Sequence, residues 1–154
     1  MTRSAQFASA ARIALLPDML DFVEAFCDRL GIAGATRQRV ALVAEELFTN
    51  VVEHGSQGDA EAQVRLVLDV AADALELLFE DTGAPFDPLR HAREHRADVD
   101  APFEDRPVGG LGIHIVTSLA TSARYVREDG CNRLWLRLAL GDDDRGGAAP
   151  RDPL

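Results

Sequence analysis

The stretch from Ala41 to Gly55, ALVAEELFTNVVEHG, constrains what this chain can fold into more than any other. Val40, Val43, Ala44, Leu47, Phe48 and Val51 recur at helical spacing and form one apolar stripe, so the segment is a helix that buries a face. Glu46, Asn50 and His54 stand four residues apart and form a second row. At about 100° per residue this row borders the stripe instead of opposing it, which puts three polar side chains at the rim of a core. Glu45 is rotated away from that edge. A carboxylate able to take a proton, one turn before a carboxamide whose oxygen can bind a hard cation, suggests a site that handles an anion through a metal. The plain alternatives are a solvated helix face for the glutamates and a satisfied, partly buried histidine at His54.

The chain has 154 residues, enough for one domain with a real core. Hydrophobic residues at 47% and charged residues at 27% are the balance of a globular protein and not of a disordered one. A formal net charge of −10 repels phosphate backbones and anionic lipid, which argues against nucleic acid or a membrane surface as a direct partner. No apolar run approaches the ~18 residues needed to span a bilayer, and no basic and then hydrophobic leader opens the chain. A cytoplasmic location is expected. Cys27 and Cys131 lack the spacing of a zinc site or a disulfide framework and read as reduced thiols.

Residues 5 to 14 read as an edge strand, and Pro17 with Asp18 and Asp21 opens a helix whose expected buried face is Leu20, Val23, Phe26, Cys27 and Leu30, stopped by Gly31. Thr36 is the expected N-cap of the organising helix, with Arg39 where a capping box would place Glu. Gly55 ends that helix and a polar loop follows. Val64, Leu66, Leu68 and Val70 alternate with Arg65, Val67 and Asp69, and Leu75, Leu77 and Phe79 with Glu76, Leu78 and Glu80, which predicts a hairpin running into Asp81-Thr82-Gly83-Ala84-Pro85-Phe86. Residues 87–108 are polar and aperiodic, the composition of a lid. Gly109-Gly110-Leu111-Gly112 then opens a helix carrying Ile113, Val116, Leu119 and Ala120, and a last hairpin turns across Glu128-Asp129-Gly130. From Gly141 the chain shows no apolar pattern and is expected to be a disordered tail, leaving residues 1–140 as the domain. This order predicts an α+β fold, a two-layer α/β sandwich whose mixed, mostly antiparallel sheet is covered on one face by helices.

Three glycines before a helix, Gly109, Gly110 and Gly112, can present unpaired backbone N–H groups to phosphates, or can serve as a flexible hinge. They are neither a dinucleotide fingerprint nor a Walker loop, since no strand precedes them and no Gly-Lys-Ser/Thr follows. Asp81, at the end of a hydrophobic strand, reads either as an Asx-turn or as an acceptor for an exocyclic amine such as that of adenine. Arg93, Arg96 and Arg106 are solvating charges, or one of them swings onto a terminal phosphate.

Taken together, these segments resemble the nucleotide-binding domain of the GHKL superfamily, shared by gyrase, heat-shock chaperone, mismatch-repair and histidine-kinase ATPases. Glu46-Leu47-Phe48-Thr49-Asn50 looks like its N box, Asp81 to Phe86 its first glycine box, and Gly110-Leu111-Gly112 its second. With Asn50-Val51-Val52-Glu53-His54-Gly55 and Gly109-Gly110-Leu111-Gly112-Ile113, the short form is most similar to the bacterial anti-sigma-factor serine/threonine kinases, over roughly residues 5 to 140. The resemblance implies an ATP site under the lid. Glu46 would be general base, Asn50 the Mg²⁺ ligand, Asp81 the adenine acceptor, and Gly83 the point where backbone nears the base. Gly110 and Gly112 would cradle phosphates, with His54, Phe86, Arg106, Gly109, Leu111 and Ile113 around the nucleotide. It also implies phosphorylation of a STAS-type antagonist, sequestration of a sigma factor or similar regulator, and a homodimer. Two departures keep a non-catalytic, nucleotide-gated binding module as the alternative. Cys131 follows Gly130 where relatives often carry threonine, and Arg106 is the nearest arginine to the second glycine box, with Val108 beside it.

Overall fold

Alternation builds the sheet. In β2 (Gln63–Val70) the side chains of Val64, Leu66, Leu68 and Val70 are buried, and in β3 (Ala74–Asp81) those of Leu75, Leu77 and Phe79. β1 (Ser4–Ala10), β4 (Ser122–Glu128) and β5 (Cys131–Ala139) complete five strands in the order β1-β2-β3-β5-β4. These elements belong to a computed structural model that describes residues 3–55, 61–94 and 111–144. All four strand pairings are antiparallel, so the expected two-layer α+β architecture stands while no parallel pair appears among the described strands. β1 lies at the sheet edge, where the sequence placed it. The β4–β5 hairpin turns on Asp129 (φ 52°) and Gly130 (φ 74°), the pair of positive φ angles that a two-residue turn needs to match strand twist.

One face of the sheet carries the helices. α1 (Leu16–Leu30) has Pro17 in its first turn and ends on Gly31, whose φ of 69° is the left-handed cap that glycine adopts without strain. Its buried residues are Met19, Val23, Phe26 and Cys27. Met19 therefore replaces the expected Leu20 because the stripe through 23, 26 and 27 continues back by four residues, leaving Leu20 half-buried.

α2 (Gly34–His54) buries every residue of the stripe from Val40 to Val51. Each of its large apolar side chains contributes on the order of 1.5–3 kcal/mol by leaving water. Its start differs from expectation. Ala33 is the N-cap residue, and its N–H donates to Asp144 Oδ1 at 3.0 Å. Thr36 sits inside the first turn, 1% exposed, with its hydroxyl accepting from Gly141 N and from Arg39 Nη2. The first residues of the expected tail are thus ordered: Asp142–Asp144 form a 3₁₀ turn docked on the beginning of α2, and residues 145–154 lie outside the described residues.

The expected lid also opens on structure. Asp87 Oδ1 accepts from Leu89 N at 2.9 Å and Arg90 N at 3.2 Å, capping α3 (Pro88–Glu94), which buries Pro88 and Ala92. Residues 95–108 lie outside the described residues. α4 (Leu111–Leu119) buries Ile113 and Val116 beside α2 and leads into β4. The long connection from β3 returns the chain to the sheet edge, so β5 inserts between β3 and β4 and sets Asn132 directly opposite Asp81.

The other sheet face carries ion pairs. Glu80 receives Arg133 at 2.7 Å and Arg65 at 3.4 Å, and the Arg124 guanidinium lies 4.2 Å from the centre of the Trp135 ring.

Candidate functional site

The bordering row on α2 meets the start of α4. A Cβ placed on Gly112 would lie 2.1 Å from Glu46 Oε2, so the carboxylate rests on glycine backbone that no other residue could supply without moving it. Burial raises the Glu46 pKa above the ordinary carboxylate value, and the charges of Glu45 and Glu53 push the same way. Asn50, half-buried one turn on, lines a cleft. His54 does not join them. Its side chain is 55% exposed and lies 3.6 Å from Glu53.

The cleft encloses about 310 Å³ of space, part of it open to solvent. Leu47 and Val51 of α2 and Phe79 and Leu134 of the sheet form its apolar walls, and Asp81, Tyr125 and Asn132 bring polar groups to it. Asp81 is 8% exposed. Its Oδ1 accepts from Gly83 N and from Asn132 Nδ2, each at 2.9 Å, while Oδ2 takes no bond among the described residues. The Asx-turn reading holds at Oδ1. Burial raises the Asp81 pKa, and the bonds from Asn132 and Gly83 and the charge of Arg127 oppose that rise.

Gly83 has a structural reason of its own. A Cβ there would come within 2.8 Å of both Cα and O of Gly55, because the turn after β3 packs on the end of α2, with Ala84 N donating to Gly55 O at 3.1 Å. Phe86 and Pro88 border the cleft, and the Phe86 ring lies 5.3 Å from that of His91. Leu111 begins α4 and Ile113 is core, 2% exposed. Arg106, Gly109 and Gly110 lie outside the described residues, as does Arg96.

Sequence reasoning missed Asn132, Tyr125 and Arg127. Asn132 Nδ2 also donates to Ala84 O at 2.8 Å, its Oδ1 accepts from Phe86 N at 3.2 Å and Tyr125 Oη at 2.5 Å, and Arg127 Nη1 donates to Gly83 O at 2.7 Å. One signal was available: Asn132 shares the inward register of Leu134, Leu136 and Leu138, and a polar residue on an apolar strand face needs partners. Of the two thiols, Cys27 is buried, which pushes its pKa up to about 11 and leaves it inert, and both cysteines are free.

Asp81 and Asn50 both line the cleft, and by their chemistry a buried carboxylate can accept from an amine and a carboxamide oxygen can ligate a hard cation. Among the described residues no three His, Cys, Asp or Glu side chains cluster as a protein-only metal site. No described helix is long and apolar enough to cross a membrane.

Sheet, one-sided helices and cleft together define the fold of the GHKL nucleotide-binding domains. Residues 9–138 match the sequence pattern of the family described as "Histidine kinase-like ATPase domain", and the chain belongs to that family. Similar curated proteins include the serine-protein kinase RsbW of Bacillus cereus (strain ATCC 10987 / NRS 248), 26% identical over 104 residues, and that of Bacillus mycoides (strain KBAB4), 24% identical over 104 residues. Each alignment covers 67% of this chain and 64% of the relative, so the chain spans just under two thirds of their length. Among solved structures, the catalytic domain of histidine kinase ThkA superposes with a TM-score of 0.50 at 13% identity, covering 92% of this chain and 99% of that one. The histidine kinase domain of a blue-light activated kinase from Erythrobacter litoralis EL346 gives 0.50 at 17% identity, covering 85% and 62%. At such identity these structures share the fold.

Proposed function

We propose that this chain is an ATP- and Mg²⁺-dependent serine/threonine protein kinase acting in partner switching, which phosphorylates a STAS-type antagonist and sequesters a sigma factor or similar regulator. The observation that carries the reading is the Glu46 carboxylate held against Gly112 at the first turn of α4, one turn from Asn50, which lines a cleft together with Asp81. Kinship with serine-protein kinases supports the reaction class.

In this reading Asp81 Oδ2 accepts the adenine amine and Asn50 Oδ1 holds Mg²⁺. Bound Mg²⁺ supplies charge neutralisation on the phosphates. Glu46 takes the proton from the attacking Ser or Thr hydroxyl as the hydroxyl oxygen bonds to the γ-phosphorus and the bridging P–O bond to the β-phosphate breaks, so that ADP leaves with that electron pair. Its raised pKa makes it a stronger proton acceptor than an ordinary carboxylate. The N–H groups of the first turn of α4 face developing negative charge. Gly109, Gly110 and Arg106 extend the proposal toward the phosphates.

Incubation with the antagonist and labelled ATP should transfer phosphate, and Glu46→Ala should abolish transfer while nucleotide binding persists. Normal phosphorylation by Glu46→Ala would remove Glu46 as the base. Tight ATP binding with no phosphorylated product from any candidate antagonist would favour the non-catalytic module instead. Light scattering tests the accompanying proposal of a homodimer.

A further inference from the structure

Resting on the kinase reading, we propose that the solvent-facing row of α2 on either side of Glu46 is the surface that reads the acceptor segment of the protein substrate. It fits a Ser or Thr with an aliphatic side chain two positions away on one side and an Arg or Lys three positions away on the other.

Leu42, Glu46, Thr49 and Glu53 stand at i, i+4, i+7 and i+11, the pattern of the buried Val40, Ala44, Leu47 and Val51 shifted by two positions, or about 200°. The row therefore points away from the core, with Glu45 beside it. Leu42 is 36% exposed, with Ile13 one of the two large apolar side chains left so open among the described residues. A single exposed leucine is ordinary, but this one lies a turn from the proposed base. Gly112 backbone closes one side of the Glu46 carboxylate, so a hydroxyl approaches it from the solvent side and its neighbours in sequence lie along this row.

The charge on this face is left without a counterpart. Glu61, Asp28, Glu80 and Glu76 each meet an arginine. Glu45 and Glu46 meet no cation among the described residues, and Glu53 has only its neighbour His54, 3.6 Å away. Helix electrostatics do not account for these acids: Glu53 stands in the last turn of α2, where the helix dipole is negative, and the first turn, where an acid is favoured, holds none. A cation from outside relieves their mutual repulsion, and the formal net charge of −10 draws a basic segment in from longer range. Spacing along the helix sets the positions. Leu42 lies about 6 Å from Glu46 along the axis and Glu53 about 10.5 Å the other way. These match two and three residues of extended chain at about 3.3 Å each.

Full-length protein is incubated with Mg²⁺, labelled ATP and a peptide library that fixes a central Ser or Thr and varies the flanking positions. Labelled peptides should be enriched for Leu, Ile, Val or Met two positions to one side and for Arg or Lys three positions to the other. Leu42→Ala should cut the aliphatic preference by about 3- to 10-fold. Glu53→Lys should cut the basic preference by about 2- to 10-fold. Calorimetry should give Leu42→Ala the wild-type affinity for Mg·ATP. Each preference is a ratio between peptides on one enzyme, so a change in the basicity of Glu46 cancels from it. Flanks without preference, or preferences that survive both substitutions, overturn the proposal. Transfer to the antagonist with none to any peptide also overturns it, and the kinase reading then stands. Transfer to neither ends that reading, and this inference with it.

Discussion

Glu46 and Gly112 form the contact on which the proposed chemistry depends. Since the atom that a Gly112 methyl would meet is the far end of a flexible side chain, Gly112→Ala should leave thermal stability nearly unchanged while pushing the carboxylate away. A displacement near 1 Å is enough for a loss of about 100-fold, so phosphotransfer should fall by that order while Tm stays fixed. The raised pKa of Glu46 has a definite sign for stability. A group whose folded pKa lies above its unfolded value contributes stability that is fully present below the unfolded value and is lost as pH rises through the folded one. At neutral pH the charged carboxylate opposes folding. Glu46→Gln should therefore raise Tm at pH 7 and change it little below about pH 4, as melting curves across pH would show. The Glu46–Asn50 edge was legible because helical spacing alone puts the two residues on one line. His54 was not, because the helix ends there and the turn after β3 docks on the Gly55 backbone instead of on the imidazole.

Between elements, the deciding contact is Gly83 against Gly55. Here a methyl group meets backbone atoms, which cannot step aside as a carboxylate can. Gly83→Ala should cost about 1–3 kcal/mol in chemical denaturation and weaken nucleotide binding with it, because Asp81 and the turn share a hydrogen bond. The strands could be read from alternation, and the stripe of α2 from its period. The meeting of Asp81 with Asn132 could not, since it depends on how β3 registers against β5 after a long connection, and no local pattern encodes that choice. α3 was hidden by its charge, although Asp87 before Pro88 is a helix-start signal that the polar composition masked.

Across the whole molecule, the order after Leu140 ties the last strand to the first turn of α2. A chain ending at Leu140 loses the cap on Ala33 and the Gly141–Thr36 bond that a chain ending at Asp144 keeps. The shorter chain should be less stable by about 1–2 kcal/mol, a fall of about 3–6 °C in Tm for a chain of this size, measurable by comparing the two truncations. The layer architecture was legible because one helix and two hairpins announced themselves, whereas this staple was not, because GDDD carries no hydrophobic signal.

The cleft's floor belongs to the sheet and one wall to α2, and the two layers touch there mainly through apolar side chains and the glycine pair. A molecule seated in it acts as a rivet through both plates: whatever occupancy adds in holding strength is shared between the strands and a helix that never enters the ladder. Slowed amide exchange on loading should then reach β5 and the far end of α2 together, making the layer seam, and not any one loop, the part of the protein that registers whether the site is filled.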